Sequence, residues 1–381
     1  MSARLVPFTD VGAMVGEVWN QIARPVRAAV LGGEFIEGPL VESFETEWAR
    51  FCGAGHAVGV ASGIDALHLT LRALDLAPED EVVVPSLSFV AAAEAVVLAG
   101  ATPRFADVDP DTLLLTSDTV SKVVTARTRA VVATHLYGQP VNMDELGAFA
   151  RSRELFLIED ASQAHGARWD ARCVGSLADA ACFSFDTGAN LGALGDAGAV
   201  VTSDGGLAHR IRSLANHGRL VGSHHRHDHV GTGSRLDAIQ ALVLREMLSR
   251  LDRWTRARRQ VAARYTLGLS DIAGVRPVVC HPLADHAYHR FVVRVPNRDL
   301  TRAELARLGV DTKVEYAIPC HLQPAFSRYA DGPLSHAEDA AAEVLSLPLF
   351  PHITPMQIDR VLRAVTTALR RAPTPSGVVT P

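Results

Sequence analysis

Lysine is almost missing from this chain: Lys122 and Lys313 are the only two among thirty-seven lysines and arginines. Chemistry built on a side-chain amine therefore has two candidates. Cysteine is scarce as well. Cys52, Cys173, Cys182, Cys280 and Cys320 are scattered with no C-x-x-C pair, which argues against a disulfide framework or a zinc knuckle and fits a reducing cytoplasm. Long apolar runs are absent too. The most hydrophobic stretch, AAAEAVVLAGA, is short and carries Glu94, so no segment is expected to span a membrane. The opening MSARLVPFTDVGAM has no apolar signal core, again consistent with a cytoplasmic protein. Positive charge is not in excess: the net charge is -5, which gives nucleic-acid binding no support.

What is present is a rhythm. The helical spacing of Leu40, Phe44, Trp48 and Phe51 predicts an amphipathic helix over LVESFETEWARFC. Short apolar runs then alternate with helical patterns. AVGVAS, EVVVPS, TPRFADV, RAVVATHLYG and LFLIEDAS read as strands; GIDALHLTLRAL, FVAAAEAVVLAG and MDELGAFARS read as helices. Parallel strands need helical crossovers, so the alternation predicts an α/β domain with a mostly parallel mixed sheet. A long helix is expected from about Leu236 to Tyr265. Beyond it, RPVVCHP, AYHRFVVRV and VDTKVEYAI alternate with helices at TRAELARLG and HAEDAAAEVLS. The expected organisation is a large domain over 1–254, a smaller C-terminal α+β domain over 255–372, and a disordered tail at 373–381.

In such folds functional groups gather at the carboxyl ends of the strands. The sequence places Ser62, Gly63, Ser86, Asp160 and Ser184 there. SGID at 62–65 opens a helix: it is an anion site made of free N–H groups, or simply an N-cap, and taken alone it supports the cap. Asp160 closes LFLIED; a carboxylate there caps a loop or holds a protonated ring nitrogen. Phe89 stacks on a flat ligand or belongs to the core. The four histidines of SHHRHDHV read as a solvated loop, since metal binding would need fixed geometry.

Eight stretches together carry a resemblance: ASGIDALHLTL, VVVPSLSFVAAAEAV, ATPRFADVDPDT, HLYGQPVNMDEL, LIEDASQAHGA, FSFDTGANLGALGDAGAVVT, SRLDAIQALVL and PCHLQPAF. In this order they resemble the DegT/DnrJ/StrS sugar aminotransferases over roughly residues 5 to 370. The resemblance implies a fold-type-I aminotransferase architecture and a homodimer whose active sites draw on both chains. It also implies an ancestral pyridoxal phosphate (PLP) pocket, in an enzyme acting on keto-sugars or cyclitols. On that footing Ser62, Gly63 and Ser184 match the phosphate contacts, Phe89 the stacking ring, Asp160 the partner of the pyridinium, and Gln163 a residue beside the ring.

The departures are as specific. Family members typically read F-S-F-Y-P-G-K-N-L-G; here the lysine position is Ala189, followed by an intact Asn190-Leu191-Gly192. Alanine can neither anchor the cofactor covalently nor carry a proton. Ile64 stands where a phosphate-binding Thr is usual, and Gly233 where an Asn from the neighbouring subunit is usual. Removing a charge-assisted hydrogen bond to a phosphate costs about 1.5 to 3 kcal/mol. A laboratory Lys→Ala change would alter one position, so three departures against one ligand favour natural divergence. Neither Lys122 nor Lys313 is an obvious substitute.

The resulting expectation is an enzyme of bacterial secondary-metabolite or deoxysugar biosynthesis that uses no cofactor. Asp160, His165, Asp186 and Glu315 would carry acid/base chemistry on a small molecule in the vacated pocket. Cyclisation, elimination, isomerisation and condensation remain open. PLP is expected only if Ala189 is engineered, in which case the chain is an ordinary sugar or cyclitol aminotransferase. A third expectation is a non-catalytic subunit paired with an active paralogue.

Overall fold

The computed structural model describes residues 5–220 and 222–371; the tail expected at 373–381 lies outside them. Two helices open the chain, α1 (Val11–Gly32) and α2 (Pro39–Cys52). Asp10 caps α1 by accepting the Ala13 N–H at 2.9 Å, and Gly33 ends it in the left-handed region at φ 74°. The sequence carried a signal for α1 in Met14, Val18 and Ile22, buried at a spacing of four.

Alternation then begins: β1 (His56–Val60), α3 (Gly63–Ala73), β2 (Glu81–Pro85), α4 (Ala91–Leu98), β3 (Thr102–Ala106), α5 (Ser117–Ser121), β4 (Thr128–Thr134), α6 (Met143–Ser152) and β5 (Phe156–Asp160). A short pair, β6 (Arg168–Trp169) and β7 (Arg172–Cys173), precedes β8 (Ala180–Ser184), β9 (Gly198–Thr202) and α7 (Gly205–Ala215). Seven of these strands form one sheet in the order β1-β9-β8-β5-β4-β2-β3. β9 runs antiparallel to β1 and β8, and the other pairs are parallel. This is the expected α/β fold with a mostly parallel mixed sheet. β2 is buried at every position because helices cover both faces.

The register decides which residues meet. Thr134 lies beside Asp160, and Asp160 beside Cys182. Ser184 pairs with Gly198, and Gly198 with Val60. The segments leaving β1, β4, β5 and β8 therefore share one edge. On one face, Phe44 and Trp48 of α2 meet Phe185 and Phe183 edge-on at 5.4 and 4.9 Å. On the other, α3, α4 and α7 contribute Leu67, Val96 and Ile211. Each of these large side chains stabilises the fold by about 1.5 to 3 kcal/mol on burial.

The long helix α8 spans Ala238–Leu269 and passes through 254–255, where the sequence suggested a division. After it come β10 (Arg276–Pro277), β11 (Ala284–Asp285), β12 (Phe291–Arg294), α9 (Arg298–Arg307), α10 (Ser335–Glu343), β13 (Val344–Leu347) and α11 (Pro355–Arg371). β10, β12 and β13 make a second sheet. It packs with Tyr265, Leu305, Phe350 and Val361 into a separate cluster. The continuous strand expected in VDTKVEYAI does not form. Val310 and Lys313 make isolated bridges instead, to Val6 and Ser346. Two residues on, the Glu315 carbonyl accepts from the Tyr137 hydroxyl instead of a neighbouring strand. A side-chain contact across the fold has replaced the ladder.

Candidate active site

The group begins where β1 turns into α3. The Ser62 hydroxyl accepts the Asp65 N–H at 3.2 Å, so the cap forms. A Cβ on Gly63 would stand 2.4 Å from the Cβ of Ser184, and one on Gly198 2.3 Å from the Ser62 carbonyl. Glycine at both positions lets the ends of β1, β8 and β9 close on one another. This brings the hydroxyls of Ser62 and Ser184 to the first turn of an eleven-residue helix, where free N–H groups favour an anion. Ile64 follows, partly exposed, in that same turn.

Beyond Ser184 the chain makes a tight loop. The Asp186 carboxylate accepts the Gly188 N–H at 2.9 Å, and its carbonyl accepts the Ala189 N–H at 2.8 Å. Asp186 thus holds the turn rather than standing free as an acid or base. Ala189 is 5% exposed, and the next side chain, Asn190, donates to the Ala287 carbonyl at 3.0 Å.

Asp160 and its neighbour point to opposite sides of β5. The Glu159 carboxylate meets His135 Nε2 at 3.0 Å and accepts the N–H groups of Gly175 and Leu177. Asp160 has lighter company: the Thr134 hydroxyl and the Ser162 N–H donate to it, each at 3.2 Å. Burial raises its pKa, against the lowering effect of the Ser162 and Thr134 hydrogen bonds. No salt bridge to Asp160 is found among the described residues.

Gln163 faces across the site. Its Oε1 accepts the Tyr137 N–H at 2.7 Å, and its Nε2 donates to the Tyr316 hydroxyl at 3.1 Å. Phe89 is 55% exposed, its ring centroid 5.9 Å from that of Tyr316. Ser62, Asp160, Gln163, Ser184 and Phe89 thus hang from strand ends and their loops. Tyr316, which sequence reasoning passed over for its neighbours, joins them through Gln163. Its place in the sequence is within VDTKVEYAI, beside Glu315.

Two expected contributors, His165 and Glu315, do not join this group. His165 is wholly buried among Trp48, Phe183 and Phe185, with ring centroids 6.1, 5.5 and 5.6 Å away. Burial lowers its pKa to about 3, so it stays neutral within the core. Glu315 is tied to Arg290 at 2.7 Å, so its charge is already matched. Gly233 bridges Asn216, and a Cβ there would meet the His217 ring at 3.2 Å. The two lysines lie elsewhere: Lys122 pairs with Asp118, and Lys313 sits over the Phe8 ring at 5.1 Å, where Arg290 stacks as well. Among the described residues no cluster suited to a metal ion is found, and no helix is long and apolar enough to cross a membrane.

Comparison with known proteins places this geometry. The DegT/DnrJ/EryC1/StrS aminotransferase family matches residues 18–366. A dTDP-3-amino-3,4,6-trideoxy-alpha-D-glucose transaminase of Streptomyces venezuelae is 43% identical over 94% of this chain and 95% of its own length. The crystal structure of S. venezuelae DesV in complex with a ketimine intermediate superposes with a TM-score of 0.93 at 43% identity, covering 96% of this chain and 98% of that one. NtdA from Bacillus subtilis, with bound cofactor PMP (pyridoxamine phosphate), superposes at 0.90 with 29% identity, covering 97% and 86%.

These relatives overturn the expectation that no cofactor is used. Their solved structures carry PMP or a ketimine, and they point to PLP rather than to its absence. The residues present fit such a group by contact. Asp160 is a buried carboxylate with neutral donors alone, and a protonated ring nitrogen would supply the missing countercharge. Phe89 leaves a ring face open, and Ser62, Ser184 and the start of α3 suit a phosphate. Ala189 offers no covalent link. By sequence match, superposition and the arrangement of its strand ends, the chain belongs to the DegT/DnrJ/EryC1/StrS aminotransferase family.

Proposed function

We propose that this protein acts on a nucleotide-linked deoxysugar and holds pyridoxal or pyridoxamine phosphate by non-covalent contacts alone. The observation that carries the reading is Asp160: buried, without a cationic partner, and placed by the register of β4, β5 and β8 beside the Ser184 and Ser62 turns. When bound, the cofactor supplies an electron-withdrawing ring that makes the carbon beside an amino group acidic. The Asp160 carboxylate would hold the proton on the ring nitrogen, with Thr134 and Ser162 orienting the carboxylate. Ser62, Ser184 and the first N–H groups of α3 would hold the phosphate, and Phe89 would cover one face of the ring. Ala189 contributes a methyl group, which takes up no proton and leaves the ligand free to exchange. Difference absorbance during titration with pyridoxamine 5′-phosphate tests this: saturable binding is expected, weakened in Asp160→Asn. Equal binding by both proteins would remove the assignment.

A second reading has one observation in its favour. The Asp186–Ala189 loop closes with its own hydrogen bonds, so a lysine at 189 meets a turn already made. In that reading the single change Ala189→Lys yields an active transaminase, measured as amino transfer with dTDP-3-amino-3,4,6-trideoxy-α-D-glucose as donor. We expect little activity, because Ile64 and Gly233 remain.

The site also draws on a second copy in our reading. Leu31, Phe35 and Ile36, at the end of α1, are 76%, 47% and 51% exposed within one protomer, an apolar run that suits a partner chain. Light scattering on the eluting protein is expected to give twice the chain mass; a monomer would end this part of the reading.

A further inference from the structure

Tyr316 is held in a way that leaves one hydrogen atom without a destination. The Tyr137 backbone N–H can only donate, and it donates to Gln163 Oε1 at 2.7 Å. The Gln163 amide is therefore fixed in orientation, with its NH₂ turned to Tyr316. An amide NH₂ only donates, so the Tyr316 oxygen accepts this bond at 3.1 Å. Its own O–H hydrogen bond goes to no described residue in the hydrogen-bond network around it. A second anchor holds the same segment: the Tyr137 hydroxyl bonds the Glu315 carbonyl, and Glu315 is paired with Arg290. The backbone before Tyr316 is thus fixed by one side chain and its hydroxyl by another, both reached through the 137–138 turn.

The ring of Tyr316 lies against exposed Phe89 at 5.9 Å, and its hydroxyl is close enough to Asp160 to feel that charge. Burial keeps the phenol protonated, so it remains a neutral donor. A half-buried hydroxyl whose hydrogen meets no acceptor among the described residues is able to donate to an oxygen of a bound molecule.

Resting on the functional reading above, we propose that Tyr316 is a ligand-contacting residue whose hydroxyl donates to an oxygen acceptor of the bound molecule. The chemistry required of that acceptor is an anionic or carbonyl oxygen at the edge of a flat ring or a sugar. Two sources share it: the phenolic oxygen of the cofactor and a sugar oxygen.

Tyr316→Phe removes the hydroxyl and keeps the ring against Phe89. The intact protein is titrated with pyridoxamine 5′-phosphate alone, and then, with that ligand present, with dTDP-3-amino-3,4,6-trideoxy-α-D-glucose. Loss of the bond should weaken binding of the accepting ligand about tenfold. If the acceptor is the phenolic oxygen, the pH at which the bound chromophore changes absorbance also rises in Tyr316→Phe, a change that loss of packing alone does not produce. If the acceptor is on the sugar, that pH is unchanged and the sugar nucleotide alone binds more weakly. Either outcome supports the assignment. Unaltered affinity for both ligands, with an unaltered pH profile, overturns it and leaves the functional reading standing. Failure of the unmodified protein to bind pyridoxamine 5′-phosphate overturns both. Should Tyr316→Phe not fold, Gln163→Leu serves: it frees the hydroxyl from its clamp and should weaken binding about threefold, and unchanged binding there again overturns the proposal.

Discussion

The same edge of the large sheet ends in two different ways. After β2, Ser86 is completely buried; its hydroxyl meets His321 Nδ1 at 2.6 Å, and His321 Nε2 meets Glu338 at 3.2 Å. After β1, β5 and β8, the side chains of Ser62 and Asp160 accept only neutral N–H or hydroxyl donors, and Ser184 accepts the Asp186 N–H at 3.4 Å. Both regions put polar groups at strand ends, and sequence pattern treats them alike. In the first, Ser86, His321 and Glu338 partner one another, so the serine, histidine and glutamate fasten the C-terminal segment to the sheet. In the second no cationic partner meets Asp160 among the described residues, and our proposal assigns that role to a ligand. In our reading, a buried carboxylate without a cationic partner, rather than residue type, separates the proposed ligand-binding end from the structural one.

The sharpest way to break this contrast is to remove one member from each region. Asp160→Asn abolishes the countercharge for a bound ring nitrogen. We expect binding of pyridoxamine 5′-phosphate to weaken by about thirtyfold, near 2 kcal/mol, with no fall in the thermal midpoint. His321→Ala should do the reverse. It strands the Ser86 hydroxyl in the core and costs about 1 to 3 kcal/mol of stability in a denaturant titration, while ligand affinity changes less than about twofold. If His321→Ala leaves stability intact, or Asp160→Asn lowers it as much, the two ends are not distinct.

A smaller effect sharpens the picture at His165. Its folded pKa of about 3 lies below the ordinary 6.5, so the unfolded chain takes up a proton first as pH falls. The sign follows: this neutral histidine leaves stability unaffected above pH 6.5 and reduces it progressively as pH falls toward 3. His165→Leu should flatten the pH dependence of the urea midpoint between pH 7 and pH 5, by of order 1 kcal/mol. An identical slope in both proteins would remove His165 from the account.

These contrasts also show what the sequence could reveal. The strands were legible because runs such as EVVVP and LFLIED are buried on both faces, and strand ends named Ser62, Asp160 and Ser184 directly. His165 was not legible as core. It lies five residues past Asp160 in the same motif, and only the folded chain shows it turning under Trp48 and the two phenylalanines. Glu315 carried no sign of Arg290, twenty-five residues away in sequence and 2.7 Å away in space. Tyr316 was hidden for the same reason: its partner Gln163 is 153 residues distant. The absence of lysine at 189 was plain, but it speaks to the covalent link and not to whether the cofactor is held.

That distinction has a direct test. The protein is saturated with pyridoxal 5′-phosphate, treated with borohydride to fix any carbon–nitrogen bond to a lysine, and then unfolded and weighed by mass spectrometry. The account predicts saturable binding before treatment and an unmodified chain mass after it. Stoichiometric attachment at Lys313 or Lys122, or no binding at all, would contradict a cofactor held by contacts alone.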